Sequence, residues 1–445
     1  MHWALPFLSA AISLSAWGAT FAQSPPAARD AGQLAEAALG QLPGVVSVGV
    51  LREGKIQVAV RRRERLGQPV EKVDGPAPGT EPIFEIGSVS KVFTGLLVAQ
   101  RVERGELRLD DTIGQLLSGH VAFRYEAASG ISVRQLLTHT SCLRRWPVSF
   151  TAERTFEQAT EYGQARLWSS MTHLVLGRTP PCETRYSNVG YAVLGEMLAQ
   201  RWQRPWESLL LEDIVQPLAL RDTRVHLSPA QQARRAPPWT GALRSEAWSP
   251  GVFAAAGGLH STATDLLMFS QALLQGRNGP LGGSADRLVT DLAAFGENGT
   301  RIGYGILIPR APVSTWGHNG ETRAYNAEWV VWPETKEAMV ILASNKAAPT
   351  QMMRRELVAQ TWSGPKQEVV YTRGEFRGSF EEDAGRRLYA RVKLAPGLKL
   401  PFSTLTFRVR DRQLVAGIAS GAAIEFRAEP VDGENTITAL RVPLP

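Results

Sequence analysis

The sequence predicts an α+β fold with a small all-β domain at the C-terminal end. Strand-like runs lie near both ends of the first 365 residues and helical patterns lie between them. A sheet built from both ends of the chain, with a helical insertion, is the natural packing of this order. After 362–365 the composition changes to short alternating runs, so we predict one domain over residues 30–365 and another over residues 366–445. Such sizes are normal for domains.

The first 22 residues predict a secretory signal peptide. They contain no Lys, Arg, Asp or Glu, and an apolar stretch from Ala4 to about Trp17 precedes small residues at Thr20 and Ala22. An uncleaved membrane anchor is the alternative, although the apolar run is short for the ~20 residues of a membrane span. We therefore expect a periplasmic or secreted protein whose mature chain has no stable membrane span.

The next elements follow from capping and alternation. Asp30 is expected to cap a helix that runs through Leu42. Val45–Leu51 and Lys55–Val60 are strand-like and are joined by Arg52-Glu53-Gly54, which predicts a hairpin.

The middle and the end of the chain supply the remaining elements. A helix is predicted from Ser88 to Arg104, and an apolar hairpin is predicted from Asn326–Trp332 and Ala338–Ala343. The C-terminal domain is expected to contain strands, among them Leu405–Val409, Gln413–Ile418 and Thr436–Leu440.

Composition excludes several classes of function. The net charge is +7, but residues 366–445 carry only 13 Lys and Arg against 10 Asp and Glu, so the excess is spread along the chain. The densest basic run, 61–65, lacks interleaved aromatic residues and is interpreted as a solvated strand edge, so no nucleic-acid partner is expected. No His-x-x-x-His pattern and no phosphate-binding glycine loop occur, so we predict no metal and no cofactor.

Cys142 and Cys182 are the only cysteines. In an exported chain an even pair favours a disulfide, and two buried free thiols are the alternative.

The first chemical motif is Ser88-Val89-Ser90-Lys91. Residues at i and i+3 face each other on a helix, and a desolvated lysine can accept the proton of a serine nucleophile. An N-cap serine beside a surface lysine is the alternative. The second Ser-x-x-Lys, 363–366, has Gly and Pro between its ends and is interpreted as a linker.

Two further motifs follow along the chain. Tyr186-Ser187-Asn188 offers a phenol that could shuttle a proton and an amide that could hold a carbonyl or a lysine. His318-Asn319-Gly320 has a glycine that permits close approach of the backbone to a ligand, and the next amide, that of Glu321, could be an oxyanion donor. A buried tyrosine with a capping asparagine and a turn histidine are the respective alternatives.

The order of the three motifs resembles the serine β-lactamase and penicillin-binding protein family, in particular its class C β-lactamase and DD-peptidase branch. Flanking segments at 136–141, 256–262 and 342–346 are also similar to that family, and the resemblance covers about 30–365. It implies an antiparallel sheet flanked by helices, a helical lobe, and an active site between them.

The resemblance also implies roles. Ser88 would be acylated, Lys91 would accept its proton, and Tyr186 would be the general acid and base. Asn188 would orient Lys91 and the substrate amide. His318 would line the pocket, and the backbone amides of Ser88 and Glu321 would form the oxyanion hole, with Gly320 allowing the backbone to approach the substrate.

Two departures from the family pattern bear on this interpretation. The family usually has Lys-Thr-Gly where this chain has His318-Asn319-Gly320, and a neutral histidine holds a substrate carboxylate less well. Arg323 is offered as the replacement charge. Cys142 stands where the family has Gly, and a bridge to Cys182 would pin the loop before Tyr186.

The sequence therefore predicts an exported serine hydrolase, class C β-lactamase-like, that acts through a Ser88 acyl-enzyme on β-lactam or D-alanyl-peptide amide bonds. The partner would be a small-molecule or peptidoglycan-peptide substrate. A DD-carboxypeptidase, a D-aminopeptidase or an esterase of the same family stays open. A non-catalytic sensor of cell-wall fragments is the alternative from another class.

Overall fold

The computed structural model describes residues 30–360, except 78, 298 and 311–312, and residues 372–443, except 383–386, 395–403 and 432–433. The chain divides into two compact units, Met1–Trp362 and Ser363–Pro445. The predicted signal peptide, the second Ser-x-x-Lys and the predicted boundary after residue 365 lie outside the described residues. Within the described ranges, no helix combines the length and the apolar character that crossing a membrane requires.

The first unit is organised around a nine-stranded sheet in which every pair of neighbours is antiparallel. In chain order the strands are β1 Gly44–Arg52, β2 Lys55–Arg63, β3 Glu71–Asp74, β4 Phe84–Glu85, β5 Trp239–Thr240, β6 Leu243–Arg244, β7 His260–Ser261, β8 Ala293–Ala294, β9 Arg301–Ile302, β10 Leu307–Ile308, β11 Trp316–Glu321, β12 Asn326–Trp332 and β13 Glu337–Ala343. The sheet order is β3-β2-β1-β13-β12-β11-β10-β9-β8, and β4 with β7 and β5 with β6 form two small ribbons.

Apolar side chains cover both faces of this sheet. Every residue of β12 and β13 is buried, and adjacent residues such as Val340 and Ile341 belong to two separate apolar clusters. Successive side chains of a strand point to opposite faces, so the two clusters are the two faces of the sheet. The predicted sheet from both ends of the chain is confirmed, because β1 pairs directly with β13.

The described part of the first unit has fourteen α-helices, and all but the first and the last lie between β4 and β8. They are α1 Ala31–Leu39, α2 Ser90–Glu103, α3 Ile113–Leu116, α4 Glu126–Ser129, α5 Val133–Leu137, α6 Thr155–Glu161, α7 Gln164–Thr172, α8 Asn188–Trp202, α9 Trp206–Leu210, α10 Pro229–Arg234, α11 Ala254–Gly257, α12 Ala263–Leu274, α13 Gly283–Leu288 and α14 Thr350–Gln360. Short 3₁₀ turns, at Gly87–Val89, Gly251–Phe253 and Gly276–Asn278, and a π turn at Leu211–Val215 complete the unit.

Two predicted helix boundaries change. The first helix begins after Asp30, whose side chain caps it, but it ends at Leu39 rather than Leu42. Gly40 follows with a φ of 54°, a conformation that favours glycine and ends a helix. The predicted Ser88–Arg104 helix becomes a 3₁₀ turn, Gly87–Val89, followed by α2.

The second unit is a small closed sheet of five strands in the order β14-β15-β16-β18-β17. The strands are β14 Thr372–Glu382, β15 Arg387–Leu394, β16 Thr404–Val409, β17 Ala423–Val431 and β18 Glu434–Arg441. This confirms a small all-β C-terminal domain.

The predicted strand Gln413–Ile418 in that unit is wrong. The side chain of Asp411 accepts a hydrogen bond from the Gln413 amide and starts a 3₁₀ turn, and Gly417 has a φ of 74°. A side chain that binds the backbone locally competes with strand pairing, so an apolar run here forms a turn.

Candidate active site

The candidate nucleophile lies on the turn that leads into α2. Ser88 is in the middle of the 3₁₀ turn, and Lys91 lies on the first turn of α2 with its side chain completely buried. The Lys91 Nζ atom is 3.2 Å from the Ser88 Oγ atom, 2.8 Å from the Asn188 Oδ1 atom and 2.5 Å from the Ala256 carbonyl oxygen. The predicted Ser88–Lys91 pair therefore meets in space.

The surroundings of Lys91 favour its neutral form. Burial lowers the pKa of Lys91 well below its usual value, and the positive charge of Arg145 lowers it further. No carboxylate among the described residues pairs with Lys91. A neutral amine beside a hydroxyl can accept its proton, which is what a serine nucleophile requires.

Tyr186 contacts the same hydroxyl from the other side. Its OH group donates a hydrogen bond to the Ser88 Oγ atom at 2.6 Å, and its ring centroid is 4.7 Å from the Lys91 Nζ atom. Burial raises the pKa of the Tyr186 phenol, which therefore stays protonated near neutral pH. A protonated phenol at this place can give its proton to a leaving group.

Two loops, 139–145 and 182–188, hold Tyr186 in place, and we call them the paired loops. Their cysteines, Cys142 and Cys182, form a disulfide with an S–S distance of 1.99 Å. The other links are hydrogen bonds from Cys182 N to Thr140 O, from Arg185 N to His139 O, from Asn188 N to Arg145 O, from Ser187 N to His139 Nδ1 and from Ser187 Oγ to Arg144 O.

His139 is a residue of this arrangement that sequence reasoning did not assign. Its ring packs 4.5 Å from the ring of Tyr186, and its Nδ1 atom accepts from the Ser187 amide at 3.0 Å. Burial lowers the pKa of His139 well below its usual value, so the ring is neutral and can be an acceptor. Its place inside the Leu-Leu-Thr-His-Thr-Ser segment was the available signal.

Two glycines allow β11 to pack against the 3₁₀ turn Gly87–Val89, which we call the serine turn. A Cβ atom on Gly320 would lie 1.9 Å from the Ile86 carbonyl oxygen, and one on Gly87 would lie 2.5 Å from the Glu321 amide nitrogen. Gly87 also has a φ of 50°. The backbone amides of Ser88 and Glu321 therefore lie where β11 contacts the turn, and a side chain at either glycine would prevent this contact. Both Ser88 and Glu321 line the same cavity.

The cavity beside Ser88 has a volume of about 520 Å³. His318 lines it and is buried, and burial together with Lys91 lowers the pKa of His318 to about 3. The His318 Nδ1 atom donates to the Asn319 carbonyl oxygen at 2.6 Å. Near neutral pH His318 thus brings no positive charge to the cavity.

Arg323 is not among the residues that line this cavity. Its guanidinium pairs with Glu157 at 2.8 Å and with Glu246 at 3.4 Å. These carboxylates neighbour Phe156 and Trp248, two cavity residues whose rings are 5.4 Å apart. In place of the expected cavity cation, Arg323 therefore ties together the segments that carry part of an aromatic wall.

No sequence motif predicts the aromatic residues of the cavity wall or its positively charged residue. Besides Tyr186, four aromatic residues from separate segments line the cavity: Trp146, Phe156, Trp248 and Phe295. Arg145 lines it as well. Among the described residues, no group of three or more His, Cys, Asp or Glu side chains could hold a metal ion.

A family model described as Beta-lactamase matches residues 33–361. The chain is 31% identical over 152 residues to penicillin-binding protein 4 of Amycolatopsis lactamdurans, covering 34% of this chain and 38% of that protein. It is 28% identical over 226 residues to a beta-lactamase of Pseudomonas fluorescens, covering 50% and 58%. It is 26% identical over 214 residues to the D-alanyl-D-alanine-carboxypeptidase/endopeptidase AmpH of Escherichia coli, covering 48% and 54%. The chain thus spans between 38% and 58% of the length of these relatives.

Solved structures show the same fold. A beta-lactamase/D-alanine carboxypeptidase from Yersinia pestis superposes with a TM-score of 0.63 at 18% identity, covering 74% of this chain and 97% of that one. A class C beta lactamase from Rhodobacter sphaeroides gives a TM-score of 0.58 at 19% identity, covering 74% and 99%. The likenesses confirm the fold and the family resemblance that the three motifs indicated.

Proposed function

Because the chain belongs to the beta-lactamase family, we propose that it is an exported serine hydrolase that cleaves β-lactam or D-alanyl-peptide amide bonds through an acyl-enzyme on Ser88. One observation carries the proposal. The Ser88 Oγ atom lies within hydrogen-bond distance of both a buried lysine, at 3.2 Å, and a half-buried tyrosine, at 2.6 Å.

The acylation step uses the neutral Lys91. Its amine takes the Ser88 proton while the Oγ atom attacks the substrate carbonyl. The resulting ammonium is held by the Asn188 Oδ1 atom and the Ala256 carbonyl oxygen, which already accept from Nζ. The oxyanion accepts hydrogen bonds from the backbone amides of Ser88 and Glu321.

Breaking the carbonyl–nitrogen bond needs a proton on the leaving nitrogen. The Tyr186 OH group supplies it, and the resulting phenolate recovers a proton from the Lys91 ammonium, since both groups reach the Ser88 Oγ atom. In deacylation the same pair takes a proton from the water that attacks the ester on Ser88, and returns it to the Ser88 Oγ atom as the acid leaves. The relative speed of this last step separates a β-lactamase from a DD-peptidase.

An ester is the second substrate class that a specific observation favours. His318 is neutral at the position where the family usually has a lysine, and five of the described Trp, Phe and Tyr side chains line the cavity. Neither of these two features requires a charged substrate. The DD-carboxypeptidase and D-aminopeptidase activities stay within the same mechanism, whereas the complete Ser88, Lys91 and Tyr186 set disfavours a non-catalytic sensor.

Export to the periplasm or the medium is part of the proposal. It is supported by the signal-like residues 1–22 and by the disulfide between Cys142 and Cys182, a bond that persists in oxidising compartments.

The test compares the purified wild type with Ser88→Ala and with Ser118→Ala, an exposed serine outside the cavity. Substrates are a chromogenic cephalosporin, a peptide ending in D-alanyl-D-alanine and a p-nitrophenyl ester. We expect turnover of at least one amide substrate by the wild type and Ser118→Ala, and none by Ser88→Ala. Equal turnover by Ser88→Ala, or no amide turnover by the wild type, contradicts the proposal.

A further inference from the structure

We propose that Arg145 binds the anionic group of the substrate and thereby makes the site prefer substrates that carry a carboxylate. The inference rests on the proposed function, since it concerns the cavity beside Ser88. It states that the substrate carries a carboxylate. It also places the positive charge that binds this carboxylate on the paired loops, rather than on β11.

Arg145 is the only arginine or lysine among the described residues that line the cavity. Its side chain is exposed, and its guanidinium carbon is 5.5 Å from the centroid of the Tyr186 ring. Tyr186 in turn contacts the Ser88 hydroxyl at 2.6 Å. A guanidinium that packs near this ring therefore stands close to the reacting bond.

The other basic side chains near the site are either paired with carboxylates or neutral. Lys346 pairs with Glu321, the only carboxylate of the cavity lining, and donates to the Thr322 carbonyl oxygen at 3.1 Å. Arg323 is bound by two carboxylates. His318 is neutral. By contrast, no carboxylate in the described part of the chain lies within ion-pair distance of Arg145.

The backbone of Arg145 is fixed even though its side chain is exposed. Its carbonyl oxygen accepts from the Asn188 amide at 3.0 Å, and the neighbouring Arg144 carbonyl oxygen accepts from the Ser187 hydroxyl at 2.7 Å. The paired loops thus place the guanidinium relative to Tyr186 and Asn188. A planar guanidinium can bind a carboxylate through two parallel hydrogen bonds, which adds both attraction and orientation.

The test uses two matched substrate pairs with a thioester as the scissile bond. The two members of a pair differ only in whether a carboxylate is free or is blocked as its methyl ester. This carboxylate is on the acyl part of the substrate in one pair and on the leaving group in the other pair. For each pair we compare the kcat/KM ratio of acid to methyl ester in the wild type, in Arg145→Gln and in Arg144→Gln, an exposed neighbour outside the cavity.

The wild type is expected to prefer the acid in at least one pair. Arg145→Gln is expected to reduce that preference about tenfold, the size of a partly exposed charged hydrogen bond, and Arg144→Gln is expected to keep it. Because a change in the basicity of Lys91 acts equally on acid and ester, the ratio isolates binding of the anion. Raising the salt concentration is expected to weaken the preference in the wild type.

A ratio that is the same in Arg145→Gln and Arg144→Gln for both pairs overturns the inference. Failure of the proposed function is a separate result, in which the wild type turns over neither the cephalosporin nor the D-alanyl-D-alanine peptide, whatever its acid to methyl ester ratio on the thioesters. A loss of preference confined to one pair supports the inference and identifies which end of the substrate carries the anion.

Discussion

The two halves of the candidate site are built in different ways. Ser88 and Lys91 are held by regular structure, because the serine turn continues into α2 and β11 lies against it through Gly87 and Gly320. Tyr186 is held by the paired loops, which a disulfide and backbone hydrogen bonds join. The first half is held in place by helix and strand packing alone. The loop half is also held by a disulfide between its two loops.

The difference has a chemical counterpart. In the proposed mechanism, the regular half contributes groups that every acyl transfer of this type needs, namely the nucleophile, the lysine and the oxyanion amides. The loop half contributes the proposed proton donor and the cavity cation Arg145. Loops that a scaffold positions are the usual carriers of specificity, so changes in the two halves should have different consequences.

The largest effect is expected in the loop half, from Tyr186→Phe. The change removes the hydroxyl that contacts Ser88 and keeps the ring that packs on His139. We expect kcat for amide substrates to fall about 10²–10⁴-fold, as for loss of a general acid. Tyr125→Phe, at an exposed tyrosine, is the control. Loss of less than about tenfold would assign proton donation to another group.

Gly320→Ala tests the regular half. The added Cβ atom meets the Ile86 carbonyl oxygen at 1.9 Å, so β11 must move away from the serine turn and the Glu321 amide must move with it. We expect kcat to fall about 10²–10³-fold, the effect of losing one oxyanion donor. Gly163→Ala, with open space around the added atom, should leave kcat unchanged. Wild-type kcat in Gly320→Ala would exclude the proposed oxyanion hole.

The double substitution Cys142→Ala and Cys182→Ala tests the covalent link of the loop half. The bridge spans 40 residues, and removing such a link lowers the free energy of unfolding by about 2–4 kcal/mol. Because the backbone hydrogen bonds between the paired loops remain, we expect only a modest decrease in kcat. Urea unfolding and steady-state kinetics measure the two effects. A decrease in kcat as large as that of Tyr186→Phe would mean that the bridge alone positions Tyr186.

The smallest effect is a shift of the pH profile. Activity is expected to rise with pH as Lys91 loses its proton, because the neutral amine is the base. Arg145 lowers the pKa of Lys91 through its positive charge. Arg145→Gln therefore raises the pKa of Lys91 and moves the acid limb of kcat/KM to higher pH. A neutral ester is the substrate for this measurement, and an acid limb that moves to lower pH contradicts the assignment of Lys91 as the base.

In the regular half the sequence predicted which residues come together, whereas in the loop half it predicted only some of them. The spacing along the chain places Ser88 close to Lys91 on consecutive helical turns. In the same way, Gly320 and Glu321 are adjacent on one strand, so local geometry alone brings each pair together. Arg145 and Trp248 come from distant loops, and no local pattern shows that they share a cavity. Arg323 is near Gly320 in sequence, yet Glu157 and Glu246 draw it away, which only the tertiary structure shows.

The elements show the same limit. Runs such as Asn326–Trp332 match the structure because burial on both faces leaves a strand as the stable form. The predicted strand Gln413–Ile418 instead begins with a turn, because the backbone amide of Gln413 donates a hydrogen bond to the Asp411 side chain and this local bond outweighs the apolar pattern.

The central claim is that Ser88 carries the acyl group. The most direct measurement is intact-protein mass spectrometry with penicillin under rapid quench, followed by peptide mapping of any adduct. The account predicts a mass increase of one penicillin molecule on the peptide that contains Ser88, and no increase in Ser88→Ala. An adduct on another residue, or the same mass increase in Ser88→Ala, would contradict it.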